Sequence, residues 1–238
     1  MSDIEQVKQK VLNWLQPFST FCFLDNHGYP SGHHSVEWLA GAGTRRSLAA
    51  DAGQALRELE QFIPERPCWL FGHLGYDLKN EIEPLSSEHP DRVGFPDLFF
   101  FEPEITIRCS GHTLEITADA PRDVFNDIMR AKEFEPAPVT AIRVEQRFSH
   151  RQYIHTISRL RQHILRGDCY EINFCQEFFA ENARVDPGTI YHLLSKASPN
   201  PFSGLYRVQD QWLICASPGR FPNKPGHRIL SQPIKGTL

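Results

Sequence analysis

The chain has 238 residues, 40% of them hydrophobic and 17 of them phenylalanine, enough to bury a substantial core, which excludes global disorder. A net charge of -4 with Lys and Arg scattered singly among acids excludes a nucleic-acid surface. No apolar run approaches a membrane span, and the acidic start Met1-Ser2-Asp3-Ile4-Glu5 lacks a signal core, so the expected location is cytoplasmic, with no membrane partner.

The first predicted element is a helix from about Asp3 to Trp14, with Ile4, Val7, Val11 and Leu12 on one face. Phe21 to Leu24 reads as a short buried strand closed by Asp25-Asn26-His27-Gly28, and Ser35 to Ala42 as a second strand. A helix from about Ala52 to Phe62 ends before Pro64. Trp69 to Leu74 has the apolar, glycine-punctuated look of a strand packed closely on a neighbour. Phe99 to Phe101, Glu104 to Arg108 and Leu114 to Thr117 read as strands of a meander, with Ser110-Gly111 turning the last pair.

From Pro121 to Pro138 periodicity weakens, and Pro136-Ala137-Pro138 reads as a linker between domains spanning 1–138 and 139–238. Ser149 then caps a helix carrying Tyr153, Ile157, Leu160 and Ile164 on one face, ended by Gly167. Tyr170, Ile172 and Phe174 alternate with polar residues, predicting a half-buried strand. Asp186-Pro187 opens a helix through about Ala197, and strands follow at Phe202 to Val208, Trp212 to Ala216 and Arg228 to Ser231. Meanders mixed with amphipathic helices predict an α+β class. Strands that end the chain leave a raw sheet edge, the mark of a fragment.

Six cysteines, at 22, 68, 109, 169, 175 and 215, form no Cys-x-x-Cys pair, so reduced and mostly buried thiols are expected. Cys169 and Cys175 share strand parity and are read as buried or semi-buried. His27, His33 and His34 match no zinc spacing and read as members of a solvated loop. Phe71-Gly72-His73-Leu74-Gly75-Tyr76 does not fit Gly-x-Gly-x-x-Gly; its glycines permit tight sheet packing. Glu81, Glu83 and Glu88 are kept from one helix face by Pro84 and read as surface acids.

The densest chemical signal is Pro233-Ile234-Lys235-Gly236-Thr237. Proline and glycine there allow a tight loop that aims an amine, which becomes nucleophilic when desolvation or a nearby cation lowers its pKa. Upstream stand Phe23-Leu24-Asp25-Asn26, Phe71-Gly72-His73-Leu74-Gly75-Tyr76-Asp77, Gly167-Asp168-Cys169-Tyr170-Glu171-Ile172-Asn173, Ser198-Pro199-Asn200-Pro201-Phe202 and Ala216-Ser217-Pro218-Gly219-Arg220-Phe221. In this order they resemble the chorismate-utilising enzymes, specifically component I of aminodeoxychorismate synthase and its sister, component I of anthranilate synthase. Lysine in the closing motif favours the first, since the sister typically carries alanine. Salicylate and isochorismate synthase relatives also carry the lysine, but usually lack the Gly-Tyr-Asp-rich N-terminal domain.

The resemblance implies a layered antiparallel β-sandwich with flanking helices, and a chain that is the N-terminal part of such an enzyme. It implies that Lys235 attacks chorismate, that Gly236 and Thr237 contact a substrate carboxylate, and that Mg2+ is held by glutamates beyond this stretch. A glutamine amidotransferase subunit would supply ammonia for 4-amino-4-deoxychorismate, on the way to p-aminobenzoate and folate. Asp25 and Asn26 align with one wall of a tryptophan site, and Pro201 and Phe202 with the other; a plain turn and a core aromatic are the alternative. Gly219 replaces the family's glutamate, which alters the hydrogen bonding expected before the lysine loop. Another alternative is a non-catalytic module that binds an aromatic amino acid or a partner.

Overall fold

The computed structural model describes residues 3–29, 36–86, 89–219, 223–224 and 226–231. Helical spacing of apolar residues buries one side of α1 (Asp3–Leu15), where Val11 and Leu15 are wholly enclosed. The chain then runs through β1 (Thr20–Asp25), β2 (Trp38–Ala42), β3 (Arg46–Ala50), α2 (Ala55–Phe62) and β4 (Phe71–Leu74). A 3-10 turn over Tyr76–Glu81 leads to β5 (Leu98–Glu102), β6 (Ile105–Ser110), β7 (Thr113–Thr117) and α3 (Pro121–Arg130). Next come β8 (Glu145–Gln146), α4 (His150–Arg166) and β9 (Phe178–Phe179), then α5 (Pro187–Ala197), β10 (Phe202–Val208) and β11 (Gln211–Ser217). No helix among the described residues is long and apolar enough to cross a membrane.

Two antiparallel sheets make the sandwich: a six-stranded one in the order β11-β10-β1-β2-β6-β7 and a three-stranded one in the order β3-β5-β4. Alternation along β1 feeds both faces of the larger sheet. Phe21 and Phe23 join Leu15, Trp38, Ile107, Ile128 and Leu205 in the core beneath the helices. Cys22 joins Leu39, Tyr206 and Val208 against Phe71, Phe99 and Phe101 of the smaller sheet. Close approach is enforced by small residues. A Cβ on Gly41 would lie 2.6 Å from the Phe71 ring, and one on Gly72 would lie 1.9 Å from the Phe99 carbonyl oxygen. The glycines of the Phe71-Gly72 segment therefore serve sheet packing, as expected, and the α+β class with a layered antiparallel sandwich is what the chain forms.

Four sequence expectations change. β5 does not continue a meander into β6; it is the centre of the smaller sheet, because its Leu-Phe-Phe-Phe run is apolar on both faces. Phe99 and Phe101 enter the inter-sheet core, while Leu98 and Phe100 enter a second cluster with Ala55 of α2. The weakly periodic stretch after Pro121 forms α3, with proline at its first turn and Ile128 fully buried. Tyr170 to Phe174 forms no strand, and Tyr170 is 85% exposed. Of the last predicted strand only an isolated bridge between Asn223 and Leu230 is present.

Compactness divides the chain into Met1–Pro136 together with the chain from Pro187 onward, and Ala137–Asp186. β10 hydrogen-bonds directly to β1, which joins the chain from Pro187 onward to the first unit. In Ala137–Asp186, Ser149 and Gln152 form a reciprocal capping box on α4, and Gly167 closes it in the left-handed conformation at φ 83°.

Candidate functional site

Lys235, Gly236 and Thr237 lie outside the described residues, as do Arg220, Phe221, His33, His34 and Glu88. At Gly219, which stands where the resemblance leads one to expect a glutamate, the backbone N–H donates to the Ser217 Oγ at 3.1 Å.

The upstream candidates converge on one corner of the larger sheet. Pairing of β1 with β10 sets Asp25 opposite Ser203, so Asp25 and Asn26 neighbour Pro201 and Phe202. Their side chains divide between the faces. Ser203 and Leu205 share a parity, and Leu205 belongs to the helix-side core; Phe202 and Tyr206 have the opposite parity, and Tyr206 belongs to the inter-sheet core. The Asp25 carboxylate turns to the helix side, where it accepts from Lys8 Nζ at 3.0 Å. Asn26 is engaged in its own turn: its Oδ1 accepts from the Gly28 N–H at 2.8 Å and its Nδ2 donates to the Val36 carbonyl at 3.2 Å.

Around Asp25 the structure assembles a polar cluster. Lys8 also pairs with Glu5 at 2.9 Å. Burial alone would lower the Lys8 pKa; the carboxylates of Asp25 and Glu5 outweigh it and hold the ammonium above its ordinary value. His27 Nε2 lies 2.8 Å from Ser203 Oγ, which donates to the Asp25 carbonyl and lies 3.2 Å from the Tyr191 hydroxyl. Burial pushes the Tyr191 phenol above its usual range. A cavity of about 370 Å³ adjoins the cluster, lined among others by Lys8, Asp25, His27, Glu37 and Trp38. His27 is therefore not a solvated loop residue: its side chain is 14% exposed. The only sequence signal was the Asn26-His27-Gly28 turn; the Ser203 and Tyr191 partners lie more than 150 residues away.

Two further readings are corrected. Glu81 is not an idle surface acid; its carboxylate accepts the N–H groups of Gly53, Ala55 and Leu56 at 2.7, 2.6 and 3.1 Å, capping α2 from a distant turn. Those backbone hydrogen bonds, chiefly that from Gly53, hold its pKa below the usual carboxylate range. Cys175 is exposed, whereas Cys22 and Cys109 are buried, and burial pushes their thiols up to about 12 and about 11. Among the described residues no group of three or more His, Cys, Asp or Glu side chains could hold a metal ion. These residues do not provide a magnesium site.

Residues 29–238 match a family model described as chorismate binding enzyme. Anthranilate synthase component 1 of Cereibacter sphaeroides is 26% identical over 216 residues, covering 80% of this chain and 43% of that protein. Aminodeoxychorismate synthase component 1 of Escherichia coli is 24% identical over 171 residues, covering 70% of this chain and 38% of that protein. The chain thus spans less than half the length of these curated relatives. In fold, the chain matches the crystal structure of anthranilate synthase component I from Streptococcus pneumoniae TIGR4. The TM-score is 0.66 at 17% identity, over 82% of this chain and 55% of that one.

Proposed function

The chain belongs to the chorismate-binding enzyme family, and we propose that within it the sequence is part of an aminodeoxychorismate synthase component I. The observation that carries this reading is Lys235 in the middle of Pro-Ile-Lys-Gly-Thr, inside the family-matched span. In this reading Lys235 acts as a neutral amine. It attacks C2 of chorismate, the conjugated π system shifts, and the C4 hydroxyl leaves as water once protonated. Ammonia then adds at C4, the electrons return, and the lysine amine departs from C2 to give 4-amino-4-deoxychorismate. The balance is chorismate plus ammonia to product plus water. The Gly236 N–H and the Thr237 hydroxyl would hold a substrate carboxylate, and a glutamine amidotransferase partner would supply the ammonia. Magnesium, implied by the resemblance, has no ligand set among the described residues, and no step is assigned to it.

The two curated relatives carry different reactions at similar identity, 26% for the anthranilate synthase and 24% for the aminodeoxychorismate synthase. Anthranilate formation is therefore the second reading, and the product separates them. The test uses the natural gene product containing this sequence, supplied with chorismate, magnesium and ammonia. Aminodeoxychorismate as product, with a substrate adduct on the Lys235 peptide in mass spectra of ammonia-free reactions, is the expected result. Anthranilate as product would establish the second reading. Wild-type turnover by Lys235→Ala with no trapped adduct would remove the covalent role.

A further inference from the structure

We propose that the cleft between the two sheets at the end of β5 binds a free α-amino acid with an apolar side chain, its carboxylate taken by Arg45 and Arg66 and its ammonium by Glu104. The site stands apart from the reaction assigned above and shares no lining residue with the cavity beside Asp25. Its volume is about 390 Å³, within the roughly 300–1,000 Å³ of small-molecule sites.

Strand register builds the cleft. Pairing of β3 with β5 sets Arg46 opposite Glu102, and the Arg45 N–H donates to the Glu102 carbonyl at 2.9 Å. On the larger sheet, pairing of β6 with β7 sets Thr106 opposite Thr117. Ile107 belongs to the helix-side core, so by alternation Thr106 turns the other way and lines the cleft. Arg66 and Trp69 close it from the segment leading into β4.

Some of these groups are engaged and others are open. The Glu102 carboxylate, 7% exposed, accepts from Arg46 Nε at 2.8 Å and from Arg66 Nη2. Arg45 Nη2 donates to Asp119 Oδ1 at 2.6 Å. Neither Arg45 nor Arg66 makes another side-chain hydrogen bond to a described residue, so each guanidinium keeps N–H groups for a ligand. The Glu104 carboxylate and the Thr106 hydroxyl have no hydrogen-bond partner among the described residues, although Thr106 is only 7% exposed. An enclosed hydroxyl without a partner costs free energy, which a ligand oxygen would relieve.

The charges select the ligand. Three guanidiniums, of Arg45, Arg46 and Arg66, balance three carboxylates, of Glu102, Glu104 and Asp119. A simple anion would meet the carboxylates and a simple cation the guanidiniums, whereas a zwitterion satisfies both. The acids do not close on a metal: no group of three or more His, Cys, Asp or Glu side chains among the described residues could hold one. Trp69, 46% exposed, offers an apolar wall for the ligand's side chain.

The test is calorimetry of the full 238-residue chain with L-leucine and L-phenylalanine, up to about 10 mM. Saturable binding is expected, and 3-phenylpropionate and phenethylamine, which each lack one charge of phenylalanine, should bind at least about tenfold more weakly. Glu104→Gln and Thr106→Val alter groups without partners in the fold, so thermal melting should hold while each weakens phenylalanine about tenfold. In NMR titrations the Trp69 indole N–H, assigned by its loss in Trp69→Phe, should shift while that of Trp38, beside Asp25, stays in place. Absence of saturable binding of both amino acids would overturn the proposal. So would equal binding of either single-charge analogue, wild-type affinity in both variants, or a shift confined to Trp38.

Discussion

Helix α1 is held by what it lies on, whereas α4 is held by its own ends. Along α1, Val11, Leu12 and Leu15 are buried against the larger sheet, and Lys8 reaches across to a carboxylate of β1. Along α4 no residue is buried; the helix is defined by the Ser149–Gln152 capping box and by Gly167. The Gly167 N–H caps the Ile164 carbonyl, and Arg166 and His163 gather on Asp168 just beyond. Packing contributes kilocalories per side chain, while a cap contributes about 1 kcal/mol. The two helices should therefore respond very differently to equally small changes.

The largest effect is expected in α1. Leu15 is 0% exposed, and Leu15→Ala should cost about 2–5 kcal/mol in urea denaturation, through lost transfer energy and a residual cavity. A loss below about 1 kcal/mol would mean that the helix can be shed from the sheet without cost. Next comes Lys8→Met, which keeps the aliphatic stem and leaves the buried Asp25 without its cation; a loss of roughly 1–3 kcal/mol is expected near neutral pH. Its pH dependence has a fixed sign. The folded-state Lys8 pKa is raised above the unfolded value, so the contribution is complete below the ordinary lysine range. It fades as pH climbs through the raised value. Wild type and Lys8→Met should accordingly converge in strongly alkaline denaturation series.

Smaller effects belong to the caps. Ser149→Ala should weaken α4 by about 1 kcal/mol, seen as faster amide exchange in its first turn with the sandwich unaffected. Spread of that change into β1 would contradict a helix held by its ends. Glu81 sharpens the contrast, because it caps α2 from outside the helix. Its depressed pKa makes the capping complete above the ordinary glutamate value and lost as pH falls through the lower folded value. Exchange at Gly53, Ala55 and Leu56 should quicken in that acid window and lose this pH dependence in Glu81→Gln, whose amide oxygen still accepts but carries no charge.

Legibility followed the range of the interaction. The termini of α4, the glycine turn at 111 and the bounds of β10 depend on neighbours within a few residues, and each was readable. Helix α3 was not, because Val124 and Ile128 give it only a thin apolar stripe among acids and bases, and burial against the sheet completes it. Strand β5 was found but given the wrong neighbour, since pairing is a choice among strands and its side chains satisfy two cores at once. In the candidate corner, Asp25, Asn26, Pro201 and Phe202 were named from motif order. The partners Lys8, Ser203 and Tyr191 were not, because nothing local marks a lysine or a serine as the companion of a distant carboxylate.

By itself, then, the sequence determined the family motifs and their order, most of the helices and strands, and the α+β class. Local periodicity, caps and turn chemistry carry that information within a few residues. Only the tertiary structure decided that β10 returns to β1, that β5 belongs to a second sheet, and that His27, Ser203 and Tyr191 meet around Asp25. Those choices depend on which buried surfaces and polar groups satisfy one another across the whole chain.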